Sequence, residues 1–206
     1  MGGGALLTGV LAGYGIAIPL GAVAALIVAT SAQRGWLTGG AAGLGAATAD
    51  GLYAMVIVAA GAVLAPWIAA LAVPLRWASV GVLVLLGVRM ICRGFRAGRG
   101  FSAVGGWSSP AGAYLGVLGI TLVNPATVVY FAALTVGSAG SVLHGAASRV
   151  VFVAGVFLAS ASWQLLLAAG GAALGRFVSG PRGRRWTGVA GGVMVIALAV
   201  RTALAA

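Results

Sequence analysis

Residues 38–64 read TGGAAGLGAATADGLYAMVIVAAGAVL, an apolar run with a single charge near its middle, Asp50. About 20 apolar residues suffice for a helix to cross a ~30 Å hydrocarbon core, so this run reads as a transmembrane span. A carboxyl group near the bilayer midplane costs roughly 2.5–3.5 kcal/mol on insertion scales, and groups kept there are functional by default. Asp50 is also the only acidic side chain among the 206 residues. A chain that omits every other carboxylate and keeps this one is expected to use it.

The composition agrees. With 62% hydrophobic and 6% charged residues and a mean hydropathy of +1.14, the chain falls in the integral-membrane class. Its net charge of +11 comes from twelve arginines. They punctuate apolar runs instead of forming the basic face of a soluble fold, so nucleic acid is not an expected partner. Cys92 is the single cysteine, which excludes an internal disulfide and a dithiol relay. The residues 1–6, MGGGAL, carry no cation, and the first one is Arg34, so the first apolar run reads as a retained span.

Six spans are expected, at 5–30, 38–64, 70–92, 110–136, 148–175 and 187–205, the third with its start blurred by Pro66 and Pro74. They form one membrane domain, 1–206, made of a first half (1–92), a polar connection rich in Gly, Ser and Arg (93–109) and a second half (110–206). Nine arginines fall on one side (Arg34; Arg89, Arg93, Arg96 and Arg99; Arg176, Arg182, Arg184 and Arg185), against Arg76, Arg149 and Arg201 on the other. The positive-inside rule puts the nine in the cytoplasm and both termini outside the cytoplasmic membrane. Three spans per half is an odd number, so homologous halves must insert with opposite orientation, as two inverted three-helix repeats. Each half has an interior proline in its first span (Pro19, Pro125) and small or polar residues in its second, at 47–50 (ATAD) and 159–162 (ASAS).

Pro19 and Pro125 each remove a backbone donor and free a carbonyl one turn earlier. Inside a membrane the freed groups need protein or water partners, so broken helices line cavities, and their half-helix ends suit a zwitterion. Asn124, beside Pro125, adds an amide that both donates and accepts. Asp50 has three readings: it holds a substrate ammonium, it binds the coupling proton, or it pairs with an arginine. Thr48 and Tyr53 lie on the same helix within reach of any cavity it lines. In the fifth span Ser162 and Gln164, with Ser160 and Trp163, are polar groups that need interhelical or cavity partners. His144 falls in a short outer loop. A hard cation takes several oxygen ligands and a soft one takes thiolates or imidazoles. One Asp, one Cys and one His supply neither set, so no cofactor is expected and metal-cation export is a minor alternative. No intramembrane base accompanies a nucleophile, so the chain is not read as an enzyme. A non-transporting scaffold is the other alternative.

These motifs, in this order, resemble the LysE/RhtB-type amino-acid exporters over most of the chain. Ile18-Pro19-Leu20-Gly21, followed by the basic turn Gln33-Arg34-Gly35, resembles the family's first-span Pro-x-Gly element. Ala49-Asp50 resembles its second-span Asp, and Leu122-Val123-Asn124-Pro125 its fourth-span Asn-Pro element. The run 159–163, ASASW, is similar to the fifth-span signature of the lysine/arginine-exporting branch. The resemblance implies gradient-driven export of an amino acid or related small amine-bearing solute, with roles for Asp50, Asn124 and Pro125. The expected partners are that solute, a coupling proton and the lipid bilayer, with homo-oligomerisation left open. Two positions depart from the family: Ala22 replaces a proline that often follows Pro-x-Gly, and no second acidic residue follows Asn-Pro. The second departure favours a neutral solute over a cationic one.

Overall fold

The computed structural model describes residues 2–18, 21–95, 107, 109–124, 127, 130, 131 and 145–177, and the isolated positions 189, 193, 196, 197, 200 and 204. Among them the chain is helical throughout, with five helices: α1 (Gly2–Ala17), α2 (Ala22–Arg34), α3 (Trp36–Phe95), α4 (Pro110–Leu122) and α5 (Ala146–Phe177). Two stretches, Trp36–Ala59 and Ala146–Gly175, are long and apolar enough to cross a membrane, and the bent pair α1–α2 makes a third if it is one span. Most of the sixth span, the arginines of 178–188, His144, Pro19, Pro125 and most of the 93–109 connection lie outside the described residues.

The first span is interrupted. α1 and α2 meet at 76°, and the break falls at the Ile18-Pro19-Leu20-Gly21 element that the sequence marks as a helix breaker. α2 then runs to Arg34, past the expected span end at 30, and the whole turn into α3 is Gly35 at φ 84°. That left-handed backbone suits glycine, because a Cβ would crowd the following carbonyl. The loop expected between the first two spans is therefore one residue long.

The fourth span is interrupted as well. Ser109 caps α4, its Oγ accepting from the Gly112 N–H at 3.1 Å, with Pro110 pre-set for the first turn. The helix stops at Leu122, where the Asn124 N–H turns back to the Thr121 carbonyl at 3.1 Å. Helical backbone recurs at Thr127, Tyr130 and Phe131.

The expected break between the second and third spans is absent. α3 continues through Pro66 and Pro74 to Phe95. The run between 60 and 75 offers Gly61 and those two prolines as stop signals. It has no Asn, Asp or Ser to start a turn, and its Ala and Leu are strong helix formers. Sixty residues at 1.5 Å each is roughly 90 Å, three times the hydrocarbon thickness, so α3 is not one bilayer span. Its packed part is Trp36–Ala59. Beyond that, every described side chain is exposed or half-buried.

α5 is the hub: it packs on α1, α2 and α3, and α4 lies against α3. Close approach depends on missing side chains. A Cβ on Gly9 or Gly13 would run into the backbone of α5 at Phe152 or Val156, so α1 and α5 touch main chain to main chain. Such contacts associate helices where lipid removes the hydrophobic drive. Gly45 plays the same part for α3 against Tyr114 of α4, as do Gly171 and Gly175 of α5 against α2.

Candidate functional site

Asp50 sits on the face of α3 formed by Ala46, Ala47, Ala54 and Ile57, all buried. The small residues on that face let α5 come close enough for Ser160, fully buried, to donate from Oγ to Asp50 Oδ2 at 2.6 Å. A hydrogen bond to an ionised carboxylate is short and roughly twice as strong as a neutral one. Asp50 is 3% exposed, and the side-chain hydrogen bond it accepts among the described residues is the one from Ser160 to Oδ2. Among the described residues no arginine pairs with it; the polar group that meets it is the Ser160 hydroxyl.

Tyr53 and Tyr130 both lie within the electrostatic reach of Asp50. Each hydroxyl holds a carbonyl of an interrupted span. Tyr53 donates to Leu122, the last residue of α4, at 2.5 Å, and Tyr130 donates to Ala12 of α1 at 3.0 Å. The Leu122 carbonyl is among those a helix end leaves without an intrahelical donor, and Tyr53 supplies one. Between the tyrosines lies the buried ring of Phe131, stacked on Tyr53 (centroids 5.6 Å apart) and edge-on to Tyr130 (5.7 Å). Phe131 joins Ala54, Ile57, Phe152, Val156 and Ala12 in an apolar plug on the side of Asp50 toward Ala59.

The opposite side is more polar. One turn beyond Ser160, Gln164 is 5% exposed and faces Gly43, and among the described residues its Oε1 has no hydrogen-bond partner. Thr30, Ser31 and Thr38 are also buried around the α2–α3 turn. Ser31 donates to the Ala168 carbonyl, whereas Thr30 Oγ1 has no partner among the described residues. Burying an unpaired amide or hydroxyl costs about 1–3 kcal/mol, so such groups mark where water or a ligand is received.

The residues expected from sequence separate into three sets. Asp50, Tyr53 and Gln164 fall along the α3–α5 contact. Asn124 lies half-buried at the end of α4, one residue beyond the α4 C-cap; Pro19 and Pro125 adjoin the two breaks but lie outside the described residues. Thr48 and Ser162 point elsewhere: Thr48 donates to Leu44 and accepts from Tyr114, and Ser162, exposed, pairs with Tyr14 at 2.9 Å and donates to Ala159. Ser160, two residues before Ser162 and so on another face of the helix, is the serine at Asp50. Tyr130 and Phe131 complete the surroundings. Their only signal in sequence is an aromatic pair a turn and a half after Asn124-Pro125.

The arrangement can bind and release a proton or an ammonium group at one buried carboxyl. It has no partner carboxylate or base with which to break a bond. The family model described as LysE type translocator matches residues 15–206. Neither a curated protein sequence nor a solved structure matches the chain. With a helical, apolar chain whose one acidic side chain is buried between two long helices, and a family match over nearly its whole length, this protein belongs to the LysE type translocator family.

Proposed function

We propose that the protein is a secondary exporter of an amino acid or a related small amine-bearing solute. It works in the cytoplasmic membrane, with six spans, two inverted halves and both termini outside. The observation that carries this reading is the Asp50–Ser160 pair, buried at 2.6 Å between α3 and α5, with Tyr53 and Tyr130 nearby tying backbone carbonyls of α4 and α1, one from each interrupted span. Ser160 holds one carboxylate oxygen and leaves the other for a proton or for the ammonium of the solute. The two are alternatives at one oxygen pair, which is the simplest basis for exchanging solute against protons.

Alternating access needs a site that opens to one side at a time. The Phe131 plug closes the Ala59 side of Asp50, and Gln164 with the buried hydroxyls of α2 gives the other side polar groups for a hydrated solute to follow. The absence of a second acidic residue near Asn124-Pro125 favours a neutral amino acid, which brings its own carboxylate as counter-charge. Efflux of a labelled amino-acid panel from proteoliposomes, driven by an imposed proton gradient, tests the reading. Gradient-dependent efflux of at least one member is expected. Flux of none, from folded protein, would reject it.

A further inference from the structure

Outside the Asp50 site, the outer face of α3 and the first half of α5 enclose a groove of about 680 Å³. Gly51, Leu52 and Met55 line it from α3, and Val150, Val153 and Phe157 from α5, with Arg149 beside them. A methyl group at Gly51 would just touch Phe157, so α3 and α5 come near each other at that end of the groove. Thr48 also borders it, but its hydroxyl is already used by Leu44 and Tyr114. The groove is therefore apolar along its length, with one cation, exposed in the first turns of α5.

That cation has no acidic side chain to pair with in its own chain. The single carboxylate side chain, Asp50, is buried against Ser160 on a different face of α3. The counter-ion of Arg149 must come from outside. Dimensions indicate which kind. From Phe157 to Ala146 is roughly 16 Å along the helix at 1.5 Å per residue, about half of a ~30 Å hydrocarbon core and so the depth of one leaflet. A volume of 680 Å³ also lies within the range of formed ligand sites, ~300–1,000 Å³.

We propose that this groove is a binding site for one anionic phospholipid, an acyl chain lying between α3 and α5 and the phosphate on the Arg149 guanidinium. Arginine suits this role because its planar fork meets phosphate oxygens in pairs. The proposal goes beyond the transport reading and needs only that the chain lies in a bilayer.

Native mass spectrometry of protein released from nanodiscs of equal phosphatidylglycerol and phosphatidylcholine tests it. Wild type is expected to retain about one phosphatidylglycerol per chain. Arg149→Gln should retain it about tenfold less, the loss of one charge-assisted contact, and Arg149→Lys should keep part of it. Ala154→Phe, which fills the groove from an exposed position, should lose the lipid while helix content and monodispersity stay as in wild type. Equal retention of the anionic lipid by wild type and Arg149→Gln would overturn the proposal. So would wild type that keeps no lipid, or both lipids alike. A disulfide formed between Met55→Cys on one copy and Val150→Cys on another would assign the groove to a second copy of the chain, and would overturn it too.

Discussion

Ser160 gives Asp50 its place, because a hydroxyl on a facing helix is the one polar contact the carboxyl makes among the described residues. Ser160→Ala leaves a buried carboxyl without a donor, an effect of roughly 1–3 kcal/mol. The variant is expected to insert and fold but to lose most of its transport, with Ser160→Thr restoring it. Ser162→Ala, two residues away on an exposed face, is expected to transport as wild type. Initial efflux rates of the three variants, each corrected for reconstituted protein, check the pair. Equal losses in Ser160→Ala and Ser162→Ala would remove the distinction between the two serines. That Asp50 deserved singling out was legible in the sequence, because it is the lone acidic side chain within the 27-residue run 38–64. Which serine meets it was not, since the run at 159–162 says nothing about which face of α5 turns to α3.

Among the elements, the α1–α5 contact is built on backbone touching backbone. A side chain at Gly13 meets the Val156 carbonyl and the Ala159 methyl group, neither able to move without its helix. Gly13→Val is expected to destabilise the fold by about 1–3 kcal/mol or more, the usual range for overpacking, seen as a lower melting temperature in detergent by fluorescence-detected size exclusion. Gly3→Val, on the same helix in open space, is the control and should melt as wild type. The interrupted first and fourth spans could be read from Pro19 and from Asn124-Pro125, because proline removes a donor wherever it falls. The same rule misled at Pro66 and Pro74, where α3 runs on. The run there supplies no Asn, Asp or Ser to take up a turn, and its Ala and Leu residues favour helix on both sides of each proline. The one-residue turn at Gly35 was likewise hidden, since no local signal separates a short loop from helix ends that nearly meet.

At the scale of the whole molecule, the proposed orientation, argued from the arginine distribution and an odd number of spans per half, puts the end of the third span in the cytoplasm. Cys92, exposed and the single cysteine, reports on this without any engineering. A membrane-impermeant maleimide is expected to label it in inverted membrane vesicles and not in intact spheroplasts; the opposite pattern would reverse the proposed orientation. Membrane class and family were readable from composition and motif order, whereas the convergence of Tyr53, Tyr130 and Phe131 on Asp50 depends on contacts between residues more than 70 apart. The claim on which the rest depends is that Asp50 is the exchange site. Counterflow of a labelled amino acid, the member of the panel that wild type exports, measured in proteoliposomes for wild type and Asp50→Asn at equal folded protein, tests it most directly. Asn keeps the size and the hydrogen-bonding capacity of Asp50 but takes neither a proton nor a full charge. The account predicts that wild type exchanges the solute and that Asp50→Asn either loses exchange, if the carboxylate holds the ammonium, or keeps it and loses the response to a proton gradient. Undiminished exchange together with undiminished gradient-driven flux in Asp50→Asn would contradict it.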